Sequence, residues 1–353
     1  MFVEERTSQS DRLVLRRTGI EVESNTFAED VRAGLTSDPK VLPPKYFYDK
    51  LGSHLFEAIG CLPEYYVTRD ENEILDKYST EIIDTIGLPP NRDVQLIELG
   101  SGIAEKTRQL IGPLLSRKIP LLYVPIDISN TSLAHSSEQL LQLYPELKIK
   151  AFVGDYFAGL NALVSAKSER DTSRRIVLFL GSSLANLRPE ESETLLRHVR
   201  RLLTPGDVLL LGVDLKKSSD VLLPAYDDAL KVTAAFNLNL LVRINRELGG
   251  EFDIGRFEHR ALYNEELSRI EMHLFSRVAQ SVEIASLDLK VPFAAGESIH
   301  TENSYKFDTR MLASLADRTG FSLAKTWYDS NRRFSFNLFA AQLTEGDHAA
   351  GTY

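Results

Sequence analysis

The sequence predicts an α/β fold, a doubly wound sheet with helices on both faces and a second domain attached to it. Three observations carry this reading. Five short apolar runs, VQLIELG (94–100), IPLLYVPID (119–127), IKAFVG (149–154), RIVLFLG (175–181) and DVLLLGVD (207–214), alternate with the helical stretches EKTRQLIGPLLS, SLAHSSEQLLQLYP and ESETLLRHVRRLL. Runs that are apolar throughout are what strands buried on both faces of a parallel sheet require. Near the end, FSLAKTWYD and FSFNLFAAQL flank Asp329-Ser330-Asn331, a turn that predicts an antiparallel hairpin closing a seven-stranded core. Between Lys216 and about Lys306 the alternation breaks, so that stretch reads as an insertion.

In chain order, residues 1–29 are polar and irregular and read as an arm outside the fold, free to be flexible. From Asp30 the text reads as short helices parted by Pro43-Pro44 and by Pro63. ENEILDKYSTEIIDTIG places Ile74, Leu75, Tyr78, Ile82 and Ile83 near helical spacing, ahead of Pro89-Pro90. After Lys216, AYDDALKVTAAFNLNLLVRINRELG reads as helix, followed by strand-like pieces around Arg269–Arg277 and Val282–Val291. The expected division is a core of 70–215 plus 307–343 and a substrate-binding domain of 30–69 plus 216–306.

Composition narrows the function classes. Hydrophobic residues make up 43% and charged residues 26% of 353, the balance of a packed globular chain. A net charge of −9 and the lack of a dense Lys/Arg run argue against nucleic acid as a partner. Cys61 is the single cysteine, which excludes an internal disulfide and a cysteine-based zinc cluster. The seven histidines show no i, i+4 metal spacing, so no metal is expected. The opening MFVEERTSQSDR carries acids and polar groups where a secretory leader would need an apolar run, so none is expected, and no run reaches the roughly 18–20 apolar residues of a membrane span. The expectation is a cytoplasmic, monomeric enzyme acting on a small molecule.

The sharpest local signal is Glu98-Leu99-Gly100-Ser101-Gly102, between the first apolar strand and a helix. Glycines there let the backbone turn tightly and approach a ligand closely. A dinucleotide loop wants a third glycine, but Glu105 stands at that position and puts a negative charge where pyrophosphate would sit. An acid two residues before the first glycine suits a cofactor with a cationic amino-acid moiety, as in S-adenosylmethionine (SAM). On the glycines alone, SAM, a nucleotide and plain turn chemistry all stay open. Asp127 at the end of VPID suits ribose hydroxyls, and Asp155 in VGDYF, beside Tyr156, suits an adenine. Either aspartate is equally at home as a turn or helix-capping residue. Three acids at successive strand ends favour SAM, because ligands of open α/β sheets bind at that edge.

The fourth apolar run leads into Gly181-Ser182-Ser183 and Asn186, whose amide offers both a donor and an acceptor to an amino acid. Tyr48, Tyr65, Tyr66 and Tyr226 are further candidates, each also at home in a core. No Ser-His-Asp or Cys-His arrangement is evident. Methyl transfer needs none, because the protein mainly aligns acceptor, methyl and leaving group.

Several segments together, LPPKYFYDKLGSHLFEAIGCLPEYYVTRDE, IELGSGIAEKTR, FLGSSLANL, LPAYDDALKVTAAFN, RIEMHLFS and TENSYKFD, resemble the histidine-specific N-α-methyltransferases of ergothioneine biosynthesis. The resemblance runs in order from about Asp30 to Leu343. It implies a Rossmann-like SAM-dependent methyltransferase core and trimethylation of the L-histidine α-amino group to hercynine. It assigns Gly100, Lys106, Asp127, Asp155 and Tyr156 to SAM, and Tyr48 and Asn186 to catalysis. Tyr65, Asn186 and Tyr226 would hold the amino acid's carboxylate and amine, with Gly181 close by. Glu302 and Ser304 would bind the imidazole, with Met272 packed beside it. Relatives acting on tryptophan-like substrates do not keep the Glu–Ser arrangement, so its presence points to histidine. A tryptophan methyltransferase and a non-catalytic SAM-binding module are the competing readings. The arm before Asp30 and the tail EGDHAAGTY lie outside the resemblance.

Overall fold

The computed structural model describes residues 3–7, 12–18, 23–88, 92–166 and 171–342. The chain divides into two compact units, one drawn from Met1–Ile20, Asp70–Leu215 and Phe307–Tyr353, the other from Glu21–Arg69 and Lys216–Lys306.

The elements run in chain order as follows. Strands β1 (Val3–Thr7) and β2 (Leu13–Arg17) precede α1 (Glu23–Thr36), β3 (Lys40–Val41), α2 (Lys50–Gly60) and α3 (Tyr66–Ile86). The alternating region gives β4 (Val94–Leu99), α4 (Glu105–Leu115), β5 (Leu121–Asp127), α5 (Asn130–Leu143), β6 (Lys148–Val153), α6 (Tyr156–Ser165), β7 (Arg174–Phe179), α7 (Pro189–Leu202) and β8 (Val208–Asp214). The inserted stretch holds α8 (Ser219–Tyr226), α9 (Val232–Leu248), β9 (Phe257–Asn264), β10 (Arg269–Ser276), β11 (Gln280–Ile284), β12 (Leu289–Phe293) and β13 (Ser298–Tyr305). The chain then returns as α10 (Thr309–Arg318), β14 (Phe321–Tyr328) and β15 (Phe334–Ala341).

The first unit is built on a nine-stranded sheet in the order β1-β2-β6-β5-β4-β7-β8-β15-β14. The strands from β2 to β8 are parallel, and β15 and β14 form the expected antiparallel hairpin. The apolar runs do what their composition requires: every residue of β8 is buried, and β4 and β7 are buried but for one position each. Helix α7 shows how the flanking layers form. Pro189 opens it, Glu191 accepts from the Arg188 backbone N–H at 2.9 Å, and Leu195, Leu196, Val199 and Leu202 turn inward. Proline at the first helical position and an acid three residues past the cap are what a helix start favours.

The sheet departs from the expected seven strands because the segment before Asp30 is not an arm. β2 lies parallel to β6 with Leu13 opposite Ile149, and β1 pairs with β2. β1 is the edge strand, held by backbone hydrogen bonds on one side only, and β2 is held between β1 and β6, so backbone pairing fixes both with little side-chain pattern. Glu23–Thr36 is helical, with Phe27, Val31 and Leu35 buried at four-residue spacing. The tail from Leu343 and Pro89-Pro90 lie outside the described residues.

The second unit has a four-stranded sheet, β3-β13-β10-β9, and a separate β11–β12 hairpin. Helix α9 buries Phe236, Leu240, Leu241 and Ile244 and ends at Gly249, whose φ of +63° stops it. The helix expected across 225–249 is broken at 227–231, where Asp228 accepts backbone N–H bonds from Val232 and Thr233 and starts α9 afresh. No helix among the described residues is long and apolar enough to cross a membrane.

Leu210, fully buried in β8, should lose about 2–5 kcal/mol of stability as Leu210→Ala, read as a lower midpoint in urea unfolding.

Candidate active site

In the sheet unit, Gly100 and Gly102 hold φ of +73° and +50°, backbone that a side chain would strain. The Gly100 N–H donates to the Ile126 carbonyl at 2.8 Å, tying the loop after β4 to β5. A Cβ on Gly100 would lie 3.0 Å from the Tyr156 hydroxyl, while one on Gly102 would stand in open space. Asp127, the last residue of β5, accepts the Gly102 and Ser129 N–H groups on its two oxygens, each at 2.8 Å. A carboxylate offers about four lone-pair directions, so acceptor capacity remains. Burial raises the Asp127 pKa against those bonds. Burial, then the charge of Asp127, pushes the Tyr156 phenol upward, so it stays protonated at neutral pH.

Two expectations from the sequence need adjustment. Asp155 is exposed and caps α6, accepting the Ala158 N–H at 2.7 Å, which is the capping role left open above. Glu98 is buried among its neighbours. Its oxygens accept from the Thr107 hydroxyl at 2.5 Å and from the Tyr123 hydroxyl, and burial pushes its carboxyl up to about 7. Position 98 lies within the strand, one residue short of its end, and its side chain is taken up by neighbours on α4 and β5.

The acid that meets the loops is Glu71, fully buried on α3. It pairs with Lys106 and accepts the Gly181 N–H at 2.6 Å. Lys106 Nζ lies 3.5 Å from where a Cβ on Gly181 would project. Glu71 thereby joins the start of α4 to the loop after β7. Its signal in the sequence is Gly212, a glycine inside the apolar run of β8, where a Cβ would come within 3.1 Å of Glu71 Oε1. Asn186 ends the short helical turn Ser183–Asn186 and is half-buried. The turn is pinned to β8 by Ser182, whose hydroxyl accepts the Asp214 N–H at 3.0 Å.

In the second unit, β13 carries Glu302 and Ser304 at two-residue spacing, so they share one face, and Lys306 follows directly after the strand's last residue, Tyr305. Met272 on β10 pairs with Glu302 across the sheet and is buried. Ser304 and Tyr226 exchange a hydrogen bond of 2.7 Å. The ammonium of Lys306, fully buried, donates to both oxygens at 2.8 Å. Lys306 was missed in the sequence, although the alternation in TENSYKF places it beside Glu302 and Ser304. Glu302 is half-buried by surface but recessed enough that desolvation pushes its carboxyl up to about 7 against the field of Lys306.

Tyr226 is held from behind by His259. Its carbonyl can only accept, so His259 Nε2 carries the hydrogen at 2.8 Å, and Nδ1 accepts from the Asn237 amide at 2.8 Å. Burial lowers the His259 pKa and keeps the ring neutral. Tyr48 and Tyr65 belong to an aromatic group: Tyr48 lies edge-on to Phe56 at 5.5 Å and to Phe236 at 5.8 Å, and Tyr65 meets Tyr226 at 6.2 Å. Asp49, next to Tyr48, accepts from Gly52, Asn239 and Arg246 and fixes that corner.

Glu271, His273 and His300 bring their ligand atoms within 4.8 Å of one another, a grouping the histidine spacing did not reveal. The Arg269 guanidinium already sits on Glu271 at 2.6 Å, and the two rings are stacked at 4.7 Å. Like charge and parallel rings both work against a cation there.

A family model for histidine-specific, SAM-dependent methyltransferases matches residues 27–341. The chain belongs to this family. It is 43% identical over 309 residues to a histidine N-alpha-methyltransferase of Mycolicibacterium smegmatis, covering 88% of this chain and 93% of that one. With a histidine N-alpha-methyltransferase of Mycobacterium tuberculosis the identity is 40% over 311 residues, 88% of this chain and 94% of the other. The ergothioneine biosynthesis protein 1 of Schizosaccharomyces pombe is 26% identical over 305 residues, 86% of this methyltransferase but 39% of that longer protein.

Within this methyltransferase, Glu98 gives a pH prediction. Its folded pKa of about 7 lies above the ordinary carboxyl value, so its stabilising protonation is complete below about 4.3 and lost as pH rises through 7. Glu98→Gln should therefore lose less Tm than the parent between pH 5 and pH 8 by calorimetry. Parallel Tm profiles would contradict the assignment.

Proposed function

We propose that this methyltransferase transfers methyl groups from SAM to the α-amino nitrogen of L-histidine, three in succession, giving hercynine in ergothioneine biosynthesis. The observation that carries the substrate is the β13 face, where Glu302 and Ser304 set a carboxyl and a hydroxyl side by side. An imidazole has one N–H and one bare nitrogen, and such a pair answers both. An indole has an N–H but no bare nitrogen and would strand a polar group, which is how a site rejects the wrong ring.

The loops of the sheet unit fit the cofactor. Gly102 leaves room ahead of the strand edge, and Asp127 keeps acceptor capacity for two ribose hydroxyls. Gly100 and Tyr156 would line the same approach, the second oxygen of Asp155 would take the adenine amino group, and Lys106, steadied by Glu71, would meet the carboxylate. When bound, SAM supplies a methyl group already activated by its sulfonium.

The remaining work falls to the chain's own groups. The amine must be uncharged to attack, and model α-amino groups titrate near roughly 8. Asn186 and Tyr48 orient its lone pair, while Tyr65, Tyr226 and the Gly181 loop hold the amino acid's backbone groups. As methyls accumulate the nitrogen becomes a permanent cation with no hydrogen to donate. The aromatic faces of Tyr48, Phe56 and Tyr65 suit such a group through cation–π attraction.

A panel of amino acids incubated with SAM and read by mass spectrometry tests this directly. Histidine should gain up to three methyl masses and tryptophan none; failure of every amino acid to yield S-adenosylhomocysteine would sink the proposal. Glu302→Ala should raise the histidine KM roughly 10- to 100-fold while the calorimetric affinity for SAM stays within about threefold. Asp127→Ala should do the reverse, weakening SAM by at least about tenfold as two or more hydrogen bonds are lost.

A further inference from the structure

The group formed by Lys306, Ser304 and Tyr226 has a hydrogen-bond sense that can be counted. A hydroxyl has one hydrogen and two lone pairs. The Lys306 ammonium has no acceptor, so each of its bonds, 2.8 Å to Tyr226 and 2.8 Å to Ser304, uses one lone pair of each oxygen. Between the two oxygens, 2.7 Å apart, one hydrogen is shared. A phenol is the stronger acid and an aliphatic hydroxyl the stronger acceptor, so Tyr226 donates and Ser304 accepts. Ser304 then holds two incoming hydrogens, its lone pairs are spent, and it can only donate.

We propose that Lys306 is a positioning residue that makes Ser304 an obligate donor, and so restricts the substrate to a ring with one N–H and one bare nitrogen. This rests on the reading of Glu302 and Ser304 as the imidazole-binding pair. Glu302 takes the ring N–H, and the Ser304 hydrogen needs a bare nitrogen opposite it. A ring offering only N–H or C–H leaves that buried hydrogen unpaired. Without Lys306, Ser304 is free to turn its hydrogen onto Tyr226 and present a lone pair instead, and the restriction is lifted.

The test compares L-histidine with the two pyrrolylalanines, in which one or the other ring nitrogen is replaced by C–H. The parent enzyme should prefer histidine over the better pyrrole by roughly 10- to 100-fold in kcat/KM. Lys306→Met should shrink that preference to within about threefold, chiefly through KM, with SAM affinity unchanged. Lys306→Gln, which keeps N–H donors without the charge, should retain the preference. An unchanged preference in Lys306→Met overturns the inference, as does collapse in Lys306→Gln or a parallel loss of SAM affinity. If Lys306→Met does not fold, Lys306→Gln decides alone: retained preference supports the inference and collapse overturns it. A parent enzyme that does not discriminate at all instead overturns the imidazole reading of Glu302 and Ser304.

Discussion

The order of the parallel strands reverses at β4, with β5 and β6 laid down on one side and β7 and β8 on the other. Loops leaving β4 and β7 therefore part in opposite directions, and a crevice opens at the carboxyl edge that no side chain has to create. Everything proposed for the cofactor follows from what the chain sets around that gap. Gly100 and Gly102 keep one wall free of side chains, Asp127 closes the neighbouring strand, and Gly181 turns the chain away on the other side. A sheet wound in a single direction would bring these three loops to one edge without a gap between them.

The crevice is held by charges that are costly to bury and are therefore paired. Glu71 is fully enclosed, and its two oxygens are taken by Lys106 and by the Gly181 N–H. Removing one partner would strand the other, a penalty far larger than the net value of the pair. Glu98 resolves the same problem differently: it accepts two hydroxyls in place of a cation, and its carboxyl rises to about 7. The contrast explains why the acid nearest the glycines in sequence is held among its neighbours, while an acid nearly thirty residues earlier ties α4 to the loop after β7.

How much of this the sequence disclosed depends on whether a feature is periodic. The apolar runs of β4 to β8 and the turn at Asp329-Ser330-Asn331 are local patterns, and the sheet core could be read from them. β1 and β2 could not, because each is added to a backbone edge left open by its neighbour, β2 on β6 and β1 on β2, and not selected by its own side chains. Asp127 could be placed at a strand end, but Asp155 shares that position and serves mainly as a helix cap. Glu71 escaped because its partners lie 35 and 110 residues away, and only Gly212 marks the space it fills.

Lys306 is the instructive omission. A lysine in a strand is ordinarily read as a solvated residue, since burying an ammonium is expensive. Here Lys306 follows directly after β13, and the cost is offset by two hydroxyl acceptors and by attraction to the Glu302 carboxyl, whose upward shift it opposes. One face of β13 thus holds a carboxyl and a hydroxyl, with the buried ammonium of Lys306 just past the strand's end. A binding pair alone recognises a shape, whereas a binding pair with its hydrogens fixed recognises a protonation pattern. On the proposed reading, that distinction would separate imidazole from a pyrrole of the same size.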